Sequence, residues 1–155
     1  MNAPEVRIAD PYVLNERDDR GVVTLTLNRP QQFNALSEEM LSALQSELEA
    51  VAGDAGARVV VIAGKGKAFC PGHDLKQMKA NPTVEYYRQL FAQCAKLMMT
   101  IQRLPQPVIA RVHGLATAAG CQLVAMCDLA VASSDARFAV SGINVGLFCS
   151  TPGVA

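Results

Sequence analysis

The chain has 155 residues, half of them hydrophobic, and its fourteen basic side chains are balanced by fourteen acidic ones. This length and composition predict one domain over 1–155 with a real hydrophobic core. The zero net charge gives no reason to expect a nucleic-acid partner, and no apolar run is long enough to span a bilayer. The first residues lack the pattern of a secretion signal or transit peptide, so a cytoplasmic location is expected.

The cysteines are odd in number, irregularly spaced and without a Cys-x-x-Cys pair. That pattern argues against a disulfide framework and against a zinc site. The two histidines add too few ligands for a mixed metal cluster. The sequence predicts no metal and a set of reduced, mostly buried thiols at Cys70, Cys94, Cys121, Cys127 and Cys149.

The first part of the chain predicts a β-hairpin. Residues 1–12 show no periodic pattern and are predicted to be a loose N-terminal arm. An edge strand begins at 12–14, and VVTLTL at 22–27 has the β-branched composition of a second strand. A charged turn that ends in Gly21 separates the two strands.

A helix and a buried strand are predicted next. Ser37 is a suitable N-cap, followed by Glu38 and Glu39 in the positive first turn. Aliphatic residues then recur at helical spacing until Gly53. The apolar run RVVVIA at 58–63 is typical of a strand that is buried on both faces. The order β, β, α, β predicts an α/β fold with crossover connections.

The loop GKGKAFCPGHDL at 64–75 contains three glycines and a proline, more than a simple connection needs. It lacks the spacing of a phosphate-binding P-loop. Asp74 is predicted to start a short helix, which would leave the backbone N–H groups of His73 and Asp74 as exposed donors. The alternative interpretation is an ordinary solvated loop.

The longest amphipathic pattern follows Thr83, a second suitable N-cap, and ends before Pro105. Apolar residues recur at spacings of three and four over about five turns, which predicts a helix with one face in the core. That face consists of Tyr87, Leu90, Phe91, Cys94, Leu97, Met98, Ile101 and Leu104.

Residues 107–134 predict a buried strand, a small-residue turn, a short helix that begins near Ala119, and a second buried strand. Small residues at a helix start let a ligand approach backbone N–H groups that have no partner within the helix. Such a turn suits a phosphate, a carboxylate or a developing oxyanion. Close packing of helix on sheet is the alternative.

Three segments occur together in this chain: LNRPQQFNALS at 27–37, GKGKAFCPGHDLKQM at 64–78, and PVIARVHGLATAAGCQLVAMCDLAVASSDARFAV at 107–140. In order and spacing they resemble the crotonase family, also called the enoyl-CoA hydratase/isomerase superfamily. The resemblance implies an α/β, ClpP/crotonase-like spiral of ββα units. It is expected to lack the usual C-terminal helical region, because family members continue past the point where this sequence stops.

The resemblance also implies a site for an acyl-CoA, with coenzyme A as part of the substrate and no prosthetic group. The backbone N–H groups of His73 and Ala119 would form an oxyanion hole for the thioester oxygen. Lys76 and Arg29 are candidate phosphate partners. The residues expected to line the CoA moiety are Phe33, Ala35, His73, Asp74, Leu75 and Lys76. The family's trimers and hexamers imply a homo-oligomer, weakened here by the shorter chain.

Two positions depart from the family pattern. The glutamates that act as acid and base in family hydratases correspond here to Gln122 and Gly142. An amide cannot accept a proton at neutral pH and glycine has no side chain, and each absent group costs roughly 10²–10⁴-fold in rate. Two-glutamate hydration is therefore disfavoured. Asp128 is predicted to be a structural, buried carboxylate.

Three functional interpretations follow. The first is a lyase or isomerase of fatty-acid and acyl-CoA metabolism that relies on its oxyanion hole. The second is an inactive acyl-CoA-binding protein, and the third is a fragment that mainly mediates oligomerisation.

Overall fold

The strands of this computed structural model, which describes residues 10–140 and Gly146, form two β-sheets. The elements in chain order are β1 Val13–Arg17, β2 Val22–Leu27, a 3-10 turn Pro30–Gln32, α1 Glu38–Ala52, β3 Val59–Gly64, β4 Ala68–Cys70, α2 Leu75–Ala80, α3 Val84–Arg103, β5 Val108–Val112, β6 Leu115–Thr117, α4 Ala119–Ala125, β7 Leu129–Ala132 and β8 Arg137–Ala139. None of the helices in the described part is both long and apolar enough to cross a membrane.

Both sheets gain strands in turn along the chain. The larger sheet has the order β1-β2-β3-β5-β7 and the smaller one the order β4-β6-β8. Only β1 and β2 pair antiparallel, as the predicted hairpin, and all other pairs are parallel. Each successive unit therefore adds one strand to each sheet, which confirms the predicted α/β spiral.

Helix α1 forms where its sequence predicts. The Ser37 hydroxyl accepts a hydrogen bond from the Met40 N–H at 3.2 Å, and Glu38 and Glu39 occupy the first turn. The buried face supplies much of the core through Met40, Leu41, Leu44, Leu48 and Val51.

Substituting Ser37 with alanine should lower the free energy of unfolding by about 1 kcal/mol, because the Met40 N–H loses its acceptor. Urea denaturation followed by circular dichroism measures the change. Ser46→Ala is the matched control, because Ser46 is exposed in the middle of the same helix, where alanine is neutral or slightly favourable. Equal effects of the two substitutions would contradict the capping role.

Helix α3 is also confirmed, with one change in its predicted core face. Thr83 caps the helix by accepting from the Tyr86 N–H. Phe91, predicted as core, is 45% exposed. Its ring lies instead beside the His73 imidazole, with the ring centroids 5.5 Å apart.

Three sequence-based predictions about strands were wrong, and one of them is the small-residue turn after β5, which contains β6. The predicted loop 64–75 contains β4, whose three residues are all buried and which pairs in parallel with β6. Three residues are too few to show a strand period. β7, predicted as buried, is exposed along its whole length because it is the outer strand of the larger sheet. An apolar run does not reveal whether another element covers it.

Candidate functional site

The smaller sheet brings two helix starts together. β4 and β6 are parallel neighbours, so their carboxyl ends lie on the same side. β4 leads through Pro71 to α2, and β6 leads directly to α4. The Thr117 hydroxyl donates to the Pro71 carbonyl at 3.0 Å and ties the two connections to each other.

Gly72 shows how closely these connections approach. Its φ is +101°, a conformation that favours glycine. A Cβ atom at this position would lie 3.1 Å from the Ala119 nitrogen and 3.1 Å from the Ala118 Cβ. The backbone that precedes His73 is therefore packed against the first N–H of α4.

The two predicted oxyanion donors are N–H groups without a partner among the described residues. The Ala118 N–H donates to the Ala139 carbonyl, but neither the His73 nor the Ala119 N–H forms a hydrogen bond in this part of the chain. The Asp74 N–H does not share this property, since it donates to the Leu36 carbonyl at 3.4 Å. The prediction of Asp74 as an exposed donor was wrong.

Ala118 has an unusual backbone conformation, with φ +48° and ψ −124°. Strain of this kind costs of order 1–3 kcal/mol and persists only where the surroundings impose it. Here it occurs at the N-cap of α4, next to the Ala119 N–H, which has no partner among the described residues.

Gly120, in the first turn of α4, packs directly against Cys70 of β4. Cys70 is fully buried, and burial raises the pKa of its thiol to about 12. Burial likewise raises the pKa of Cys94 to about 11 and of Cys127 to about 12, where the charge of Asp128 adds to the effect. Within the described residues Cys70, Cys94, Cys121 and Cys127 form no disulfide, as predicted for reduced thiols, and Cys149 lies outside the described residues.

Asn34 is a site residue that the sequence interpretation missed. It is fully buried, and its side-chain amide donates to the carbonyls of Lys65 and Ala68 at 2.9 Å and of Phe69 at 3.2 Å. Its Oδ1 accepts from the Arg29 N–H. Asn34 thereby fixes the 29–36 loop to β4. The available sequence signal was an asparagine, which tolerates its observed φ of +64°, in a turn.

The predicted CoA-lining residues come from two loops that the structure places side by side. Leu36 and His73 form an isolated parallel β-bridge. Phe33 is 53% exposed and Leu75 is 46% exposed. Ala35 is half-buried and Lys76 is exposed.

Asp74 caps α2 by accepting from the N–H groups of Lys76 and Gln77. The Asp74 carboxylate therefore forms hydrogen bonds with backbone N–H groups at the start of α2. The Lys76 side chain remains a candidate phosphate partner.

Arg29 has a structural role. Its guanidinium donates to the carbonyls of Asp10, Pro11 and Asn28 and lies 3.6 Å from the centroid of the Tyr12 ring. These contacts fasten residues 10–12 to the domain, whereas residues 1–9 of the predicted arm lie outside the described part. A phosphate would have to displace these contacts, so Arg29 is a poor candidate for binding one.

The two positions that correspond to the glutamates of family hydratases are Gln122 and Gly142. Gln122 lies on α4, half-buried, and its N–H donates to the Ala118 carbonyl. Gly142 lies outside the described residues.

Asp128 was predicted as a buried structural carboxylate, and only the structural part holds. Its Oδ2 accepts from the Val108 N–H at 2.7 Å, but the residue is exposed. The edge position of the adjoining β7 leaves it open to solvent. Within the described residues, no three His, Cys, Asp or Glu side chains converge in a way that would hold a metal ion.

The spiral of β–β–α units defines this chain as a crotonase-fold protein. Residues 17–154 match the model of the enoyl-CoA hydratase/isomerase family, and the chain belongs to that family.

Solved structures and curated relatives are similar to the chain over nearly all of its length. A crystal structure of enoyl-CoA hydratase from Mycobacterium smegmatis is 71% identical, with a TM-score of 0.91 over 94% of this chain and 56% of that one. The structure of human enoyl-CoA hydratase domain-containing protein 3 is 47% identical, with a TM-score of 0.86 over 92% of this chain and 56% of that one. The Xenopus laevis protein named "Enoyl-CoA hydratase domain-containing protein 3, mitochondrial" is 53% identical over 90% of this chain and 47% of its own length. The chain thus spans about half the length of the curated relatives it matches.

Proposed function

We propose that this chain binds acyl-CoA thioesters, with the thioester oxygen accepting hydrogen bonds from the backbone N–H groups of His73 and Ala119. The supporting observations are the close approach of Gly72, the residue before His73, to the Ala119 nitrogen and the lack of a hydrogen-bond partner for either N–H group among the described residues. Donors fixed in this way act most strongly on an oxygen that gains negative charge, as in an enolate.

The reaction class is an acyl-CoA conversion that needs an oxyanion hole but not two carboxylates. Gln122 supplies an amide that cannot take a proton, so isomerisation, thioester hydrolysis or decarboxylation fits better than hydration. The same feature favours the second candidate, a protein that binds acyl-CoA without turning it over. In either case coenzyme A is part of the ligand.

Location and assembly remain proposals. The sequence predicts a cytoplasmic location, whereas the names of several relatives include "mitochondrial". A homo-oligomer is proposed from family membership alone.

The carbonyl oxygen of the ligand should account for tighter binding. Calorimetric titration would compare a medium-chain acyl-CoA, the S-alkyl-CoA thioether of the same chain length, and free CoA. Two hydrogen bonds of about 0.5–1.5 kcal/mol each predict that the thioester binds roughly tenfold or more tightly than the thioether.

Gly72→Ala should abolish this difference, because its Cβ would push against the Ala119 nitrogen. Gly53→Ala is the control, since the nearest atom to an added Cβ there is 3.8 Å away. Equal affinity of the wild-type chain for thioester and thioether would refute the oxyanion site.

A further inference from the structure

The imidazole of His73 has an unusual environment. Its Nδ1 is buried and forms no hydrogen bond of standard geometry among the described residues, although the Leu36 backbone lies close enough to influence the ring, and the ring packs edge-on against Phe91. Buried polar atoms in proteins are nearly always satisfied, so an orphaned one invites a functional explanation. The two-glutamate acid–base chemistry of family hydratases does not involve this side chain.

The imidazole is also close to the proposed oxyanion. It is carried by the same Cα as one of the two donor N–H groups. Bond lengths and the length of a hydrogen bond place the ring centroid within roughly 8 Å of any oxygen held by that N–H. Charges at such a separation interact strongly where water is excluded.

We propose that the His73 imidazole compensates the charge of the oxyanion site: it is neutral while the site is empty and takes up a proton when an enolate oxygen binds. This inference rests on the proposed function and names its substrate class as acyl-CoAs that form an enolate. The α-carbon C–H bond breaks, its electron pair moves to the thioester oxygen, and the proton ends on the imidazole, directly or by way of solvent. No proton is released overall.

The surroundings of the ring support this behaviour. Burial lowers the pKa of His73 from its ordinary value of 6.5, and the Leu36 carbonyl only partly opposes the effect. A negative charge nearby favours the protonated form and raises the pKa again.

Among the described residues, no charged side chain contributes to the pKa shift of His73. The Asp74 carboxylate accepts from two N–H groups of α2, and the Tyr87 hydroxyl donates to the Met78 carbonyl. Neither of these shifts the pKa of His73, which responds to burial and to Leu36 alone. The titratable groups on the surrounding elements include Asp74, Lys76, Lys79, Glu85, Tyr86, Tyr87, Arg88, Cys70, Cys94 and Cys121, and none of them contributes to the pKa shift of His73.

The test uses acetoacetyl-CoA, a β-ketoacyl thioester whose enolate is visible by ultraviolet difference spectroscopy. The ratio of bound enolate to bound keto form is measured between about pH 6.5 and 8. In the wild-type chain the ratio should stay constant, because the proton lost by carbon is retained by His73. In His73→Gln, which keeps the backbone N–H, the ratio should rise about tenfold per pH unit, because one proton is released for each enolate.

A wild-type ratio that also rises tenfold per pH unit would overturn this role of His73 while leaving the oxyanion site intact. No enolate and no preference for the thioester would instead remove the proposed function itself. The chain has only two histidines, so NMR of the unmutated protein gives a second measurement. The His73 signals should shift to the protonated form on binding, and those of His113, exposed and bonded to the Gly66 carbonyl, should not.

Discussion

Gly120→Ala is expected to destabilise the protein by about 3 kcal/mol or more and to abolish the preference for a thioester ligand. An added Cβ would lie 2.7 Å from the carbonyl carbon of Cys70 and 2.9 Å from its Cβ, and would overlap its carbonyl oxygen. These are atoms of a buried strand or fixed to it, so no side-chain rotation relieves the overlap. Overpacking of this kind costs 1–3 kcal/mol and sometimes more. Helix α4 must move away from β4, and the Ala119 N–H moves with it.

The sign of this effect distinguishes packing from helix propensity. In an exposed helix interior, alanine is about 1 kcal/mol more favourable than glycine. Gly53→Ala at the end of α1 is the control, and it should be neutral or slightly stabilising because an added Cβ has space there. Urea denaturation of both variants, with calorimetry of the thioester and thioether, provides the comparison. A stable Gly120→Ala chain with full affinity would show that α4 can shift without loss of the site.

Gly120 also shows what a sequence can and cannot predict. Periodicity identified α1 and α3 because their buried faces repeat over several turns. It identified Gly120 as one small residue in a turn, but not its contact with Cys70, fifty residues earlier in the chain. The approach of His73 to Ala119 came from the family resemblance, since no local pattern relates two segments that meet only through sheet pairing.

Exposure was the least predictable property. Phe91 and β7 have the apolar character of core segments, yet each is exposed because of what lies beside it in space. The opposite case is Asn34, a polar residue that is fully buried because three carbonyls from β4 and its preceding loop converge on it. Sequence predicts how a residue suits an environment, whereas the tertiary fold decides which environment it meets.

Asn34→Asp should have the second large effect and lower the free energy of unfolding by about 3 kcal/mol or more at pH 8. The substitution preserves shape and the acceptor for the Arg29 N–H, but it replaces the amide donor with a carboxylate oxygen facing three carbonyl oxygens. A buried hydrogen-bond donor is lost, and a buried charge is left unpaired.

The loss should depend on pH in a direction that identifies its cause. Burial against carbonyls raises the pKa of the new carboxyl above its unfolded value of about 3.9. Folding then favours proton binding, so the variant regains stability relative to wild type as pH falls from the folded pKa toward the unfolded one. Urea denaturation of both chains at pH 8 and pH 5 measures the difference. Asn81→Asp is the control, because its amide bonds the Gln77 carbonyl at an exposed position, where solvent screens the charge. A penalty for Asn34→Asp that is small, or that grows as the pH is lowered, would mean that the 29–36 loop does not depend on this amide to hold its place against β4.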